Sequence, residues 1–227
     1  MIFITGDLHG DYDIHKLTVK NFPEQKEMTK DDYLIICGDF GLIWDNSRRD
    51  LYWRRWLNDR KFTTLFVDGN HENFDLIEQY PITNWKGGKI QLVDDNIIHL
   101  MRGQVYTING YKFFTMGGGT SVDRKYRKEG KSWWQQEQPS TAEYDEAIKN
   151  LDKHNWKVDY VISHTTSTKI MNGPLQYPKE DSKLNNFFDF LETQLDYKYW
   201  YFGHFHYDKD FPDYKCSVVY TRIIRIK

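Results

Sequence analysis

The chain has 227 residues and a net charge of −2 at pH 7, with 39% apolar and 17% aromatic residues. This length fits one domain over residues 1–227, no apolar run is long enough to span a membrane, and the net charge does not predict a general nucleic-acid binder. Two cysteines exclude a disulfide framework, and the opening MIFITGDLHG lacks the basic start of a signal peptide, so we expect a cytoplasmic protein.

Short apolar segments without alternation predict strands that are buried on both faces. Five of them end abruptly in glycine or a polar residue, namely MIFIT (1–5), YLIIC (33–37), TLFVD (64–68), YVIS (160–163) and YWYF (199–202). Between the third and the fourth, Asn109-Gly110 predicts the turn of a β-hairpin. SVVYTRIIRI (217–226) predicts one further strand.

Three helices are predicted among these strands. An irregular pattern indicates the first over about residues 47–59. Ser140 and Glu143 form a capping box before an apolar stripe of Tyr144, Ala147, Ile148 and Leu151. A second stripe follows Ser182 and consists of Leu184, Phe187, Phe188, Leu191 and Leu195. Strands and helices that alternate in this way predict an α/β fold.

Residues 117–139, GGGTSVDRKYRKEGKSWWQQEQP, match no regular element, and unstructured loops of this length are usually functional or disordered. We predict a substrate loop or lid, in which Arg124 and Arg127 bind phosphate and Trp133 and Trp134 stack on bases. The alternative is a solvated loop whose tryptophans dock onto the sheet. A second basic group is interpreted as the charged face of the first helix: Arg48, Arg49, Arg54 and Arg55.

Side chains of metal-binding type follow all five predicted strands. They are Asp7 and His9 in GDLHG, Asp39 in GDFG, Asn70 and His71 in GNHE, His164 in SHTT, and His204 and His206 in GHFH. Because open α/β sheets bind ligands at the carboxyl ends of their strands, we expect these side chains to converge. Clustered carboxylates and imidazoles are costly to desolvate unless they are paired or bind a cation.

The mixture of oxygen and nitrogen ligands suits first-row divalent metals such as Mn, Fe, Ni or Zn. Seven of these residues, all except His71, are considered as ligands, and seven are too many for one four-coordinate zinc ion. They suit two ions about 3.5–4 Å apart, bridged by a carboxylate and a water-derived hydroxide, as in phosphate-transfer hydrolases. A single histidine after one strand would indicate only a hydrogen-bonded structural residue, but five strand ends favour a metal centre.

The ordered motifs GDLHG, GDFG, GNHE, SH and GHFH, which span residues 6–206, resemble those of the calcineurin-like metallophosphoesterase superfamily. The resemblance implies a four-layer α/β/β/α sandwich of two facing mixed sheets. It implies that one metal ion is held by a first ligand set, Asp7, His9 and His206. It implies that the other is held by a second ligand set, Asn70, His164 and His204. Asp39 would bridge both ions, and His71 would bind the phosphoryl group and protonate the leaving oxygen.

Two motifs bear on the substrate. Residues 38–45, GDFGLIWD, lack the Asp-Arg pair by which protein Ser/Thr phosphatases of the superfamily continue this motif, and GHFH is more typical of diesterases and nucleases. We therefore expect a dinuclear phosphoester hydrolase with Mn²⁺ favoured and a metal-bound hydroxide as nucleophile. Its expected substrates are phosphodiesters, either nucleotide-type molecules or a nucleic-acid end. The alternatives are a phosphomonoesterase, a protein Ser/Thr phosphatase and a non-catalytic scaffold; no protein partner is predicted.

Overall fold

The computed structural model describes residues 1–177 and 182–226. Within these residues the strands form one sheet of seven strands and one of six. The strands are, in chain order, β1 (Ile2–Thr5), β2 (Tyr33–Cys37), β3 (Thr63–Val67), β4 (Ile82–Trp85), β5 (Gly88–Asp94), β6 (Ile97–Leu100), β7 (Gln104–Ile108), β8 (Tyr111–Met116), β9 (Tyr160–Ser163), β10 (Tyr199–Phe202), β11 (Lys209–Phe211), β12 (Cys216–Val218) and β13 (Ile224–Arg225).

Both sheets are mixed. The first has the order β13-β1-β2-β3-β6-β5-β4, in which β1, β2, β3 and β6 are parallel and the outer strands are antiparallel. The second has the order β11-β12-β10-β9-β8-β7, with β8, β9, β10 and β12 parallel. The five strands predicted to carry polar ends are therefore parallel strands, three in the first sheet and two in the second.

The helices begin at side-chain caps. Ser47 accepts a hydrogen bond from the third residue of its helix, Ser140 forms the predicted capping box with Glu143, and Ser182 caps the last helix. The helices are α1 (Arg48–Asn58), α2 (Phe74–Ile77), α3 (Thr141–Lys153), α4 (Thr168–Ile170) and α5 (Lys183–Gln194). Shorter helical turns cover Ile14–Leu17, Pro23–Glu27, Arg124–Tyr126, Gln135–Glu137, Met171–Leu175 and Pro212–Tyr214. None of the helices in the described segments is long and apolar enough to cross a membrane.

Three apolar clusters separate four layers. The central one lies between the sheets, where Ile35 and Leu65 of the first sheet pack with Phe113 and Ile162 of the second. The second cluster packs α1 and the N-terminal helical turns against the outer face of the first sheet. The third packs α3 and α5 against the outer face of the second sheet. The predicted α/β/β/α sandwich of two mixed sheets is thus confirmed.

The C-terminal segment differs from its prediction as one strand. Its residues belong to two strands in different sheets, β12 and β13, and the chain crosses between the sheets after Val219. The carboxylate of Asp208 accepts hydrogen bonds from the backbone N–H groups of Tyr220, Thr221 and Arg222. Because these donors are used by a side chain, they cannot continue the ladder of β12.

Two other features were not predicted. The sequence analysis did not identify the strands between residues 82 and 100, the first of which, β4, is exposed and lacks an apolar run. Arg54 does not belong to an exposed charged face, because it is 7% exposed and donates hydrogen bonds to Asn46 and Tyr80. Arg48 and Arg55 are exposed as predicted.

Candidate metal centre

The polar strand ends of the two sheets meet because glycines allow a close approach. A Cβ atom on Gly38, after β2, would lie 2.2 Å from Nδ1 of His164, after β9. A Cβ atom on Gly203, after β10, would lie 2.0 Å from Oδ1 of Asp7, after β1. Each contact joins one sheet to the other, and neither leaves room for a side chain. The glycine before the polar residue therefore closes the two sheets onto one cluster.

The first ligand set lies around Asp7 and one oxygen of Asp39. Nε2 of His206 is 3.2 Å from Oδ2 of Asp7, and Nε2 of His9 is 3.3 Å from Oδ2 of Asp39. One ligand atom from each of these four residues lies within 4.8 Å of the others. The backbone N–H of His204 donates to Oδ1 of Asp7 at 2.9 Å and fixes this carboxylate. Two imidazoles and two carboxylates thus face one point, a donor set that suits a first-row divalent ion.

The second ligand set lies around Nε2 of His164. This nitrogen is 3.0 Å from Oδ1 of Asn70, 3.2 Å from Nδ1 of His204 and 3.3 Å from Oδ1 of Asp39. Nδ1 of His164 lies 2.9 Å from the main-chain oxygen of Cys37, to which it can only donate. In the neutral ring, Nε2 therefore presents a lone pair to the cluster, as a metal ligand must.

The carboxylates favour positive charge within the cluster. Although burial opposes the effect, Asp39 raises the pKa of His164 to about 10 and the pKa of His9 to about 9. Again against the effect of burial, these histidines hold the pKa of Asp39 well below its usual range. A divalent cation binds neutral imidazoles and ionised carboxylates, so it would supply the same charge and displace the two protons. The donor atoms and their charges therefore fit divalent cations.

Four members of the cluster have left-handed backbone conformations. The φ angles are +45° at His9, +47° at Asp39, +71° at His204 and +53° at His206. Such conformations are uncommon outside glycine, although Asn, Asp and His adopt them more readily than other residues do. Each costs on the order of 1–3 kcal/mol and persists where the surrounding structure enforces it. They allow residues that follow a strand closely to turn toward the same point.

Glu72, the last residue of GNHE, lies behind the cluster. Its carboxylate accepts hydrogen bonds from the backbone N–H groups of Phe40 at 2.7 Å and Gly41 at 3.1 Å. Burial, together with the charge of Asp39, raises the pKa of Glu72 to about 8. These contacts are those of a positioning residue, since they hold the loop that carries Asp39.

The sequence analysis missed Lys16 and Tyr220, which support the first ligand set. Nζ of Lys16 donates to the main-chain oxygen of Tyr220 at 2.7 Å and to two main-chain oxygens at the end of β1. The Tyr220 hydroxyl donates to Asp13 at 3.0 Å, and Asp13 faces Nδ1 of His9 at 2.7 Å. The Tyr220 ring stacks on His206. Lys16 and Tyr220 are 204 positions apart, so no local pattern could have indicated this contact.

His71 lies at the edge of the cluster, next to the guanidinium of Arg127. Nη1 and Nη2 of Arg127 are 3.3 and 3.2 Å from Nδ1 and Nε2 of His71. The backbone N–H of His71 donates to Oδ1 of Asp39 at 2.8 Å. Burial lowers the pKa of His71, and the charge of Arg127 adds to this effect. The structure therefore brings one of the two predicted arginines to the site.

The other predicted substrate residues of the loop 117–139 have structural partners. Arg124 forms an ion pair with the buried carboxylate of Glu137, and its guanidinium lies over the ring of Trp133. Trp134 is 4% exposed, and its indole N–H donates to Asp75 at 2.8 Å. Trp134 therefore anchors the loop and offers no surface on which a base could stack. The structure does not bring Arg124 to the metal-ligand cluster.

Comparison with known protein families and curated proteins gives two findings. The profile described as calcineurin-like phosphoesterase matches residues 1–208. Lariat debranching enzyme A from Xenopus laevis is 28% identical over 143 residues, which cover 56% of this chain and 25% of that enzyme. The chain thus spans about a quarter of the length of this relative.

Solved structures give further similarities. One, described as a 5′-nucleotidase from Staphylococcus aureus in complex with alpha-ketoglutarate, has a TM-score of 0.50 at 16% identity and covers 96% of this chain and 48% of that one. Phosphopantetheinyl hydrolase from Mycobacterium tuberculosis has a TM-score of 0.44 at 13% identity and covers 96% of this chain and 87% of that one. At these identities, the similarity to the first concerns the fold alone.

Proposed function

The chain belongs to the calcineurin-like phosphoesterase family, and we propose that it hydrolyses phosphodiesters with the help of two divalent metal ions. The proposed ligands are the first ligand set, the second ligand set and Asp39. Manganese is the metal that we favour. Within the diesters, we propose nucleotide-type molecules or the ends of nucleic acids as substrates.

One observation carries this proposal, namely the position of Asp39 between the two ligand sets. Its Oδ2 atom faces His9 of the first set at 3.3 Å, and its Oδ1 atom faces His164 of the second set at 3.3 Å. The carboxylate is 1% exposed, so ionising it without nearby cations would be costly. A carboxylate that turns one oxygen to each of two ligand sets has the arrangement of a bridging ligand in a two-metal site.

In this proposal the residues of the site have different roles in hydrolysis. Two divalent ions, when bound, would supply positive charge to the phosphoryl oxygens and acidify a water molecule. Asp39 and the two ligand sets fix where the phosphoryl group lies. His71 would protonate the leaving oxygen, and because burial lowers its pKa, its protonated form gives up the proton more readily than an ordinary imidazolium does. Arg127 orients the His71 ring and presents a guanidinium to the phosphoryl group.

Three points favour a diester. A diester phosphate carries one negative charge, whereas a monoester carries up to two. In the described structure, Arg127 is the guanidinium that lies against His71, and one guanidinium matches the single charge of a diester. The Asp-Arg pair of the protein phosphatases is missing from residues 38–45. The named activity of the Xenopus relative, debranching of a lariat, is also the cleavage of a phosphodiester. These points support a diester and leave the particular molecule open.

The test combines metal analysis with hydrolysis. We expect protein purified without chelators to contain about two equivalents of divalent metal per chain. We expect it to cleave bis(p-nitrophenyl) phosphate with a higher kcat/KM than p-nitrophenyl phosphate. A preference for the monoester would overturn the diester assignment. If the protein binds no metal and hydrolyses neither ester with added Mn²⁺, Fe²⁺, Ni²⁺ or Zn²⁺, the proposed enzymatic activity is wrong and the alternative of a non-catalytic scaffold is favoured.

A further inference from the structure

A cavity of about 780 Å³ opens beside the first ligand set. Its inner end is formed by His9, His71 and His206, so it is continuous with the proposed position of the phosphate. From there it extends between the loop that follows β1 and the start of α1. The proposed function involves only its inner end and assigns no role to the rest of the cavity.

Three aromatic side chains line the outer part of this cavity: Tyr12, Trp44 and Trp53. Tyr12 is 80% exposed. Trp44 packs edge to face against Trp134 with ring centroids 5.6 Å apart, and Trp53 packs in the same way against Trp56 at 5.6 Å. These contacts hold two indoles whose rings remain partly exposed. Fixed aromatic surfaces stack on planar rings with little loss of side-chain freedom.

The charge on the cavity wall excludes some occupants. In the part of the chain that the structure describes, the wall contains four aspartates and one arginine, Arg49, which is paired with Asp11. Asp50 is used within the protein, where it accepts hydrogen bonds from the backbone N–H groups of residues 44–46. A second phosphate or a continuing nucleic-acid strand would meet like charge here. Asp45 is exposed, and although its Oδ1 atom accepts from the backbone N–H of Ser47, its other oxygen could accept from a neutral ring with N–H donors.

We infer that this cavity binds a neutral nucleobase, and that the substrate is a phosphodiester with one nucleoside arm directed away from the metal-ligand cluster. The inference rests on the proposed function for the position of the phosphate. The cavity volume lies within the roughly 300–1,000 Å³ of small-molecule sites, so it has room for a nucleoside. Tyr12, Trp44 and Trp53 supply the stacking surface that the loop 117–139 was predicted to supply.

The test measures nucleoside binding without hydrolysis. Binding of adenosine, guanosine, cytidine and uridine to the full chain is followed by calorimetry, with ribose as the control ligand. We expect at least one nucleoside to bind and ribose not to bind. Tyr12→Ala and Trp53→Leu should each weaken nucleoside binding on the order of tenfold or more, since stacking contributes strongly per base. Tyr126→Ala is the matched control, because Tyr126 is also 80% exposed and lies outside the cavity.

The outcomes separate this inference from the proposed function. Absence of nucleoside binding to the wild type would overturn the inference, even if the protein hydrolyses small diesters. Equal weakening by Tyr12→Ala and Tyr126→Ala would also overturn it and would place the base on the loop 117–139. If nucleoside binding depends on Tyr12 and Trp53 but the protein cleaves no phosphoester, the nucleobase site is supported and the proposed hydrolase function is overturned. Because Tyr12 is exposed, its variant remains informative if Trp53→Leu fails to fold.

Discussion

The two ligand sets differ in how deeply they are built into the protein. In the second set, the His164 side chain is 0% exposed, and Asn70 donates to the hydroxyl of Ser121 in the loop 117–139. In the first set, the His206 side chain is 51% exposed and faces the aromatic cavity. Its support comes from Tyr220, which stacks on the imidazole. His164 is therefore part of the core, whereas His206 is part of the wall of a cavity.

For the proposed two-metal site, this difference in burial predicts different behaviour of the two ions. The main-chain oxygen of Cys37, at the end of the buried strand β2, orients His164, so this ligand cannot turn without disturbing the core. His206 can move at the surface of the cavity with a smaller effect on packing. We therefore expect the ion of the second set to exchange more slowly with a chelator, and the ion of the first set to lie nearer the substrate.

The largest effect is expected where the two sets share a residue. Asp39→Asn removes the charge that faces both sets, so it should reduce the metal content below one equivalent per chain and abolish hydrolysis. Metal analysis and a phosphodiesterase assay check this. Asp95→Asn, at an exposed aspartate, is the matched control and should retain both ions. If Asp39→Asn kept two ions and lost only turnover, the carboxylate would act in the chemistry without bridging.

A pair of histidine variants tests the difference between the sets directly. In chelator-treated protein, His164→Ala should lower the free energy of unfolding by about 1–3 kcal/mol, because it leaves buried polar partners unsatisfied. His206→Ala should lower it less, by about 0.5–1.5 kcal/mol, because the hydrogen bond that it removes from Asp7 is half exposed to solvent. Urea unfolding measures both. Similar losses in the two variants would show that the sets are equally embedded.

His71 tests whether the open side of the cluster carries the chemistry. His71→Ala should keep both ions while kcat falls by roughly 10²-fold or more, the usual contribution of general acid–base catalysis. The loss should be smaller with p-nitrophenolate, a leaving group that needs little protonation. Steady-state kinetics with both kinds of leaving group, alongside metal analysis, check this. Loss of an ion from the variant would show that His71 is a ligand.

The two arginines of the loop 117–139 provide the finest comparison. Arg127→Ala should lower kcat/KM about ten- to a hundredfold, as expected for the loss of one charge-assisted hydrogen bond. Arg124→Ala should instead destabilise the protein by about 1–3 kcal/mol, because it removes the cation that is paired with the buried Glu137. Kinetics and urea unfolding of both variants separate the effects. A stable Arg124→Ala protein with a raised KM would restore Arg124 as a substrate residue.

The sequence predicted the elements that carry the site because they are short and distinctive. The five parallel strands that carry the site are short apolar runs, and each is followed by a polar residue that must find a partner, as His164 and Asp39 do. The convergence of these ends follows from the parallel order of the strands. The roles of the individual ligands remain predictions, although the structure brings all seven into one cluster.

Other features depend on contacts between distant segments. The pairing of Arg124 with Glu137 and the anchoring of Trp134 by Asp75 decide what the loop 117–139 can do, and composition does not encode either contact. The aromatic cavity likewise joins Tyr12 to Trp44 and Trp53, which lie on separate segments. The burial of Lys16 against main-chain oxygens could not be read from a polar segment of the sequence.

The contact between Lys16 and Tyr220 has a consequence for the order in which the protein is made. The chain emerges from the ribosome at about 5–20 residues per second, so Tyr220 follows Lys16 by roughly 10–40 seconds. Until then β1 lacks its neighbour β13, and Lys16 lacks one of its three hydrogen-bond acceptors, the main-chain oxygen of Tyr220. The first ligand set therefore lacks the support of Tyr220 until the ribosome has translated residue 220, about 200 residues after Lys16.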